Sequence, residues 1–435
     1  MARKRTLGFL TITAVLLGGL AVSGCKDESS ASFALVQADA PRNENPAVTT
    51  EGLAPLVEGN TAFATDLYAH LAQQDGGNLF FSPYSISVAL AMTYAGAAGD
   101  TASEMAGTLH FNLPADQLHA AFNRLDLELE ARAQVDGNDE GEPFELSIAN
   151  SIWAEKTHQF SAPFLQTLAQ NYGAGARLVD FANDPEVARG SINTWVNDET
   201  NDRIPELIPQ GAIDAMTRLV LTNAIFFKAA WDEPFAKEST RAGDFTLLSG
   251  STVQAQMMQS QGTPSFLYAE GTGYQAVELT YTGDEIGMLI ILPAEDQFEA
   301  FESAFDASRL TEIIGSLQPS AVRVSLPKFE FSSDVALGQA LTSLGMPVAF
   351  QPGVADFSGM DGTRDLYISD VIHKAFVAVD EEGTEAAAAT AVIVAVTSAR
   401  LDPKTFEANR PFIFVIGDRV TGAILFIGRV TDPTR

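Results

Sequence analysis

The stretch EEGTEAAAATAVIVAVTSAR, residues 381–400, carries two conflicting local signals. Ala386 to Ala389 is a run of the best helix former, whereas Ala391 to Val396 is mostly β-branched and reads as strand. Between Ala386 and Ala399 there is neither a charge nor a proline. A segment that enters a sheet as a new strand points alternate side chains to opposite faces. Counted from Thr384, one face is Thr384, Ala386, Ala388, Thr390, Val392, Val394 and Val396, small at first and then apolar. The other is Glu385, Ala387, Ala389, Ala391, Ile393 and Ala395. The first face suits burial, and the charge of Glu385 stays in water. Gly383 offers a permissive pivot, and no proline removes a ladder donor before Pro403. A solvent-exposed alanine helix does not explain the valine parity. One face of the stretch is therefore fit for burial in a sheet.

The flanking sequence supplies sheets to receive it. Strand-like runs lie at Phe144 to Trp153, Thr217 to Phe227, Gly287 to Leu292, Val322 to Phe331 and Leu366 to Val379. Phe412 to Ile416 and Ala423 to Val430 flank a Gly-Asp-Arg turn region and read as a hairpin. Helical signals concentrate earlier. Phe63, Leu67 and Leu71 recur at helical spacing, and Ser85 to Ala97 is apolar on nearly every face, the mark of a buried helix. Thr101-Ala-Ser-Glu104 reads as a capping box opening the next helix. The fold class expected is α+β with large, mostly antiparallel sheets.

The chain has 435 residues, 46% hydrophobic with 28 phenylalanines, and a formal charge of −30. That balance argues against nucleic acid or an anionic membrane surface as a partner of the folded part. Arg3, Lys4 and Arg5 precede an apolar stretch, Leu7 to Leu20, too short to span a bilayer. Val22-Ser-Gly-Cys25 follows, so residues 1–24 read as a secretory signal and Cys25 as the lipidated residue of a bacterial lipobox. Cys25 is the single cysteine, which excludes an intramolecular disulfide. Residues 25–55 are polar, lack a period and read as a flexible tether. From 56 to 435 neither a second linker nor a repeat interrupts the chain, so one domain is expected there.

Enzyme motifs are missing. The five histidines, His70, His110, His119, His158 and His373, form no HExxH pair and have no cysteines beside them to build a zinc site. There is no G-x-S-x-G elbow, Walker loop or G-x-G-x-x-G.

The whole of 56–435 resembles the serpin family. The resemblance is carried by Asn78-Leu-Phe-Phe-Ser-Pro-Tyr-Ser85 running into Ile86 to Met92, and by Leu221-Thr-Asn-Ala-Ile-Phe-Phe-Lys228 followed by Trp231 and Pro234-Phe235. Leu326-Pro-Lys-Phe329, His373-Lys-Ala375 leading to Glu381-Glu-Gly-Thr-Glu-Ala386, and Phe406 to Ile416 continue it in order. The resemblance implies three sheets, about nine helices and an exposed reactive loop, here about 381–405. A protease cleaves that loop, and its N-terminal part then enters the large sheet, carrying the acylated protease with it. Carried onto this chain, the hinge is Glu382, Gly383, Thr384, Glu385, Ala386 to Ala389 and Thr390. The scissile bond falls at Thr397-Ser398, with Val396 or Arg400 as alternatives. Ser82, Ser85, Asn223 and His373 match the family's polar shutter, although a lone histidine in an apolar strand is more often a satisfied core residue. Trp231 matches the breach aromatic, and Lys328 with Glu381 an ion pair beside it.

The implied function is suicide inhibition of a serine protease, elastase-like or subtilisin-like if Thr397 precedes the cut, trypsin-like if Arg400 does. The implied protein is a monomeric, exported lipoprotein facing the periplasm or cell exterior, without a cofactor and not an enzyme. A non-inhibitory serpin, cleaved as a substrate or serving as a scaffold, is the alternative. Such members usually carry bulky, charged or proline residues in the hinge, and from Ala386 to Thr390 this chain does not. A solute-binding lipoprotein is a third reading with no motif behind it.

Overall fold

The computed structural model describes residues 33–133, 145–384 and 403–435. Its helices are α1 (Ala54–Ala72), α2 (Pro83–Tyr94), α3 (Gly99–Thr108), α4 (Ala115–Ala133), α5 (Ala162–Tyr172), α6 (Pro185–Glu199), α7 (Phe298–Ser303), α8 (Ala307–Ser316), α9 (Leu337–Leu344) and α10 (Ser358–Asp361). The strands before the midpoint are β1 (Ala34–Val36), β2 (Leu79–Phe81), β3 (Glu145–Glu155), β4 (Ala176–Val179) and β5 (Leu219–Ala230). There follow β6 (Arg241–Thr246), β7 (Thr252–Gln259), β8 (Ser265–Gly271), β9 (Tyr274–Thr280), β10 (Ile286–Pro293), β11 (Gln318–Pro327) and β12 (Phe329–Ala336). The chain ends with β13 (Asp370–Val379), β14 (Gly383–Thr384), β15 (Lys404–Glu407), β16 (Phe412–Asp418) and β17 (Ile424–Val430).

The strands make two hydrogen-bonded networks. The first is seven-stranded, β1-β4-β3-β5-β14-β13-β12, and the second ten-stranded. The third sheet that the resemblance implied is not separate among the described residues. β11 joins it to the second, pairing with β8 through Gln318–Ala321 and with β15 and β7 further along. The expected hairpin is there as β16 and β17.

β5 shows how the first network is built. Leu221, Ile225 and Phe227 face the main core, while Val220 and Ala224 join a second core with Trp153, Trp195 and Ile192 beneath α6. Burial on both faces is why this strand reads as a continuous apolar run. β13 instead alternates, with Val371, His373, Ala375, Val377 and Val379 buried. Burying that one face fixes its register.

Two local readings need correction. Ala98, not a residue of the expected capping box, caps α3, and Thr101 lies inside the helix. The Thr101 hydroxyl accepts from the Asp356 amide (2.9 Å) and the Glu104 carboxylate from the Val348 amide (2.9 Å), so both serve distant loops. The run Val322 to Phe331 is broken at Lys328 into β11 and β12, which belong to different networks.

The stretch expected to be a leash is described from Phe33 onward, and there it is packed. β1 adds a strand to the edge of the first network by pairing antiparallel with β4. Arg42 reaches α4, donating to Asn123 (2.8 Å), Asp126 (2.6 Å) and Glu130 (2.7 Å). A three-residue strand is too short to show a period, and the partners of Arg42 lie about eighty residues away. Cys25 and the signal segment lie outside the described residues.

Candidate functional site

The first network is open at one end, and that opening is the site. Lower down, β5 and β13 pair directly and in parallel, from Asp370↔Val220 to Ala375↔Ile225. Above Ile225 they part, and β14 sits between them. Gly383 pairs with Ala230 and Thr384 with Ala229 on one side, and Thr384 with Val379 on the other. The chain reaches this wedge by a turn in which the Asp380 carboxylate accepts the Glu382 amide (2.8 Å) and the Gly383 carbonyl accepts the Asp380 amide (2.9 Å).

Gly383 is required by close approach: a Cβ there would overlap the Ala229 carbonyl and lie 2.8 Å from the Ala230 Cα. Thr384 is 1% exposed. It shares its face with the buried Val379 opposite. Its hydroxyl lies 2.7 Å from that of Tyr281. Glu385, Ala386, Ala387, Ala388, Ala389, Thr390, Val396, Thr397, Ser398 and Arg400 lie outside the described residues.

Trp231 holds the turn. Its amide donates to the Glu382 carbonyl (2.9 Å) and its indole to the Asp380 carbonyl (3.0 Å). Lys328 and Glu381 pair at 2.6 Å, and the Thr240 hydroxyl donates to the other Glu381 oxygen at 2.6 Å. Burial pushes the Glu381 carboxyl up, but Lys328 and Thr240 overcome it and hold the group below the usual range. Lys237 pairs with Glu382 at 2.5 Å.

Inside the β5–β13 ladder, two residues below its upper end, a buried polar row crosses the sheet. Asn150 of β3, Asn223 of β5 and His373 of β13 are register partners. The start of α2 is aimed at this row. Ser82 caps the helix, its hydroxyl accepting the Ser85 amide (3.1 Å) ahead of Pro83. The Ser82 amide donates to His373 Nε2 (3.2 Å), and the Ser82 hydroxyl donates to the Leu425 carbonyl (2.6 Å). Asn223 donates to the Ser85 hydroxyl (2.7 Å) and to Asn150 Oδ1 (2.5 Å), and Asn150 donates to the Ser85 carbonyl (3.0 Å). His373 Nδ1 meets Asn223 Oδ1. Since Nε2 accepts, Nδ1 carries the proton and the ring is neutral. Burial drives the His373 pKa down to about 3.

The structure thus gathers Ser82, Ser85, Asn223 and His373 in one network, and Trp231, Lys328, Glu381, Glu382, Gly383 and Thr384 in another. Sequence reasoning missed Asn150, Tyr281, Thr240 and Asp380. Asn150 alone had a local signal, an amide inside an apolar strand. Among the described residues no group of three or more His, Cys, Asp or Glu could hold a metal ion.

Comparison with known proteins agrees with this geometry. The family model described as serpin (serine protease inhibitor) matches residues 58–433. The leukocyte elastase inhibitor of Equus caballus is 41% identical over 386 residues, 87% of this chain and 99% of that protein. The crystal structure of Serpin48, described as a highly specific serpin in the insect Tenebrio molitor, superposes with a TM-score of 0.76 at 31% identity, covering 87% of this chain and 98% of the other. Tengpin, a thermophilic serpin in its native state, gives 0.79 at 29% identity over 92% and 99%. The chain belongs to the serpin family.

Proposed function

From that membership we propose that the protein is a suicide inhibitor of serine proteases, trapping its target by inserting the cleaved loop between β5 and β13. One observation carries the reading: Gly383 and Thr384 already stand as a strand between parted neighbours, core face inward. The remaining hinge residues follow in the parity set out above, so insertion continues a ladder already begun. About 14 further ladder residues at a net ~0.5–1.5 kcal/mol per hydrogen bond come to on the order of 10 kcal/mol before ordering costs. Such a gain rivals the ~5–15 kcal/mol stability of a whole domain. The polar row below is the part of the sheet that must open, since its side chains bridge the strands that separate. Trp231, Lys328 and Glu381 brace the turn around which the loop swings.

The scissile bond of the proposal is Thr397-Ser398, with Val396 or Arg400 as alternative residues before the cut. Threonine there, preceded by Ala395 and Val396, suits the small aliphatic primary pockets of elastase-like or subtilisin-like enzymes, and the likeness to leukocyte elastase inhibitors supports the first. The N-terminal reading adds a diacylglycerol on Cys25, holding an exported inhibitor at a membrane that faces the periplasm or cell exterior.

The test is incubation with an elastase-type protease followed by SDS gel electrophoresis. An SDS-stable adduct is expected, together with a released fragment whose mass begins at Ser398. Cleavage without any adduct, across elastase-, subtilisin- and trypsin-type enzymes, would sink the inhibitory reading in favour of a non-inhibitory serpin. A fragment beginning at Leu401 would move the bond to Arg400.

A further inference from the structure

We infer that Tyr281 is a positioning residue for trapping: its hydroxyl latches Thr384 inside the sheet before a protease arrives, so that insertion starts from a nucleus already formed. The inference rests on the inhibitory reading above and adds to it a residue that its motifs do not contain.

Tyr281 follows β9 and is 1% exposed. Its backbone bridges antiparallel to Trp231. Its ring stacks on the Trp231 indole, centroids 4.5 Å apart and planes 10° off parallel, and meets Phe227 edge-on at 5.2 Å. Clamped on two sides, the ring has no rotamer to change to, so the hydroxyl occupies a fixed point. That point is 2.7 Å from Thr384 Oγ1, and both groups are buried. Burial also pushes the Tyr281 hydroxyl above its ordinary range, keeping it protonated and able to donate.

The consequence follows from the cost of an unpaired buried hydroxyl. If the hinge withdraws, the phenol of Tyr281 loses this partner in a dry setting, so withdrawal is penalised. Trp231 grips the turn one step earlier, through the Asp380 and Glu382 carbonyls. Those bonds are to backbone and would hold any sequence. Lys237 meets the Glu382 side chain at the turn, and the Tyr281 contact reads the side chain of Thr384, which stands inside the sheet. Trapping is a race between insertion and hydrolysis of the acyl-enzyme. A strand already seated at Thr384 has met the slow nucleation step before the race begins.

Tyr281→Phe removes the hydroxyl and keeps the stacked ring. Thr384→Val removes the other partner at constant shape. Each single change strands one buried hydroxyl, whereas the double change strands none, so the pair should be near neutral. Two readouts apply. The first is hydrogen exchange of the peptide Phe226–Trp231, in which Ala229 and Ala230 pair with β14 and the Trp231 amide donates to Glu382. Exchange about five- to tenfold faster is expected in each single variant, with return towards wild type in the double. The second is the number of inhibitor molecules consumed per protease trapped with an elastase-type enzyme, which should rise several-fold in each single variant and fall back in the double.

Unchanged exchange in Tyr281→Phe would overturn the latch, whether or not the protein inhibits. Singles and double equally impaired in both readouts would also overturn it, since that pattern marks general damage to packing. If the wild type forms no adduct with any protease, the inhibitory reading fails, and the exchange pattern alone then decides whether Tyr281 holds the hinge.

Discussion

Acid should weaken this protein through His373, and the structure gives the size of the effect. In an unfolded chain a histidine titrates near pH 6.5. In the folded protein, burial drives the pKa of His373 in β13 down to about 3, and that of His119 on α4 to about 4. Between those values and 6.5 the unfolded chain binds protons that the folded chain does not. Stability therefore falls as pH falls through that window. The loss is about 1.4 kcal/mol per pH unit for each group, or about 2 kcal/mol apiece between pH 6.5 and 5. His373 has no means of absorbing the charge. Its Nε2 faces the Ser82 amide, itself a donor, and its hydrogen-bond partners among the described residues carry no carboxylate. Urea unfolding at constant ionic strength, followed at pH 7, 6.5, 6, 5.5 and 5, measures the slope. His373→Gln lowers stability at pH 7 by breaking the network, and it should also make the fall in stability over this interval shallower, leaving the share of His119. A variant with the full wild-type slope would refute the reasoning. Because the row bridges β3, β5 and β13, spontaneous loop insertion into an uncleaved molecule should also quicken at pH 5 relative to pH 7, visible as a faster-forming, urea-resistant band on native gels.

Thr384→Arg places an unpaired charge on the core face at a cost of several kcal/mol. It should be cleaved at a normal rate yet form little SDS-stable adduct, whereas Glu385→Arg, one step along on the solvent face, should inhibit almost normally; equal loss in the two defeats the parity argument. Arg42→Ala removes three charge-assisted bonds to α4, and should lower stability by about 2 kcal/mol and expose residues 33–53 to limited proteolysis. An unaltered cleavage pattern would mean that β1 and the Asn43 contacts to Gln170 and Asn123 hold that segment without Arg42. Cys25→Ser should move the protein into the aqueous phase of a detergent partition, and a wild type already found there would remove the lipid anchor.

The features legible without a structure were those encoded at short range. The strand-like run that becomes β5 and the β16–β17 hairpin each depend on neighbours two to four residues apart, and a period survives in the sequence whatever the rest of the chain does. The motif order from Asn78 to Ile416 then joined those runs into a family pattern and nominated the polar row and the braced turn. The same short-range logic misread Thr101 and Glu104, which satisfy a capping box locally but are taken by amides about 250 residues away. It left residues 33–53 without structure, because a three-residue edge strand and one arginine have no pattern until β4 and α4 are beside them. Tyr281 was invisible for the same reason: nothing around it in the sequence hints at Thr384, 103 residues on. Ser82 and His373, 291 residues apart, could be named by motif, but not their bond. The sequence by itself determined the longest strands and that Thr384 belongs to a face fit for burial, since backbone alternation is local. Only the tertiary structure decided which buried donor meets which acceptor and how far the hinge has already entered, because those partners are chosen by packing between strands that the chain brings together from its two ends.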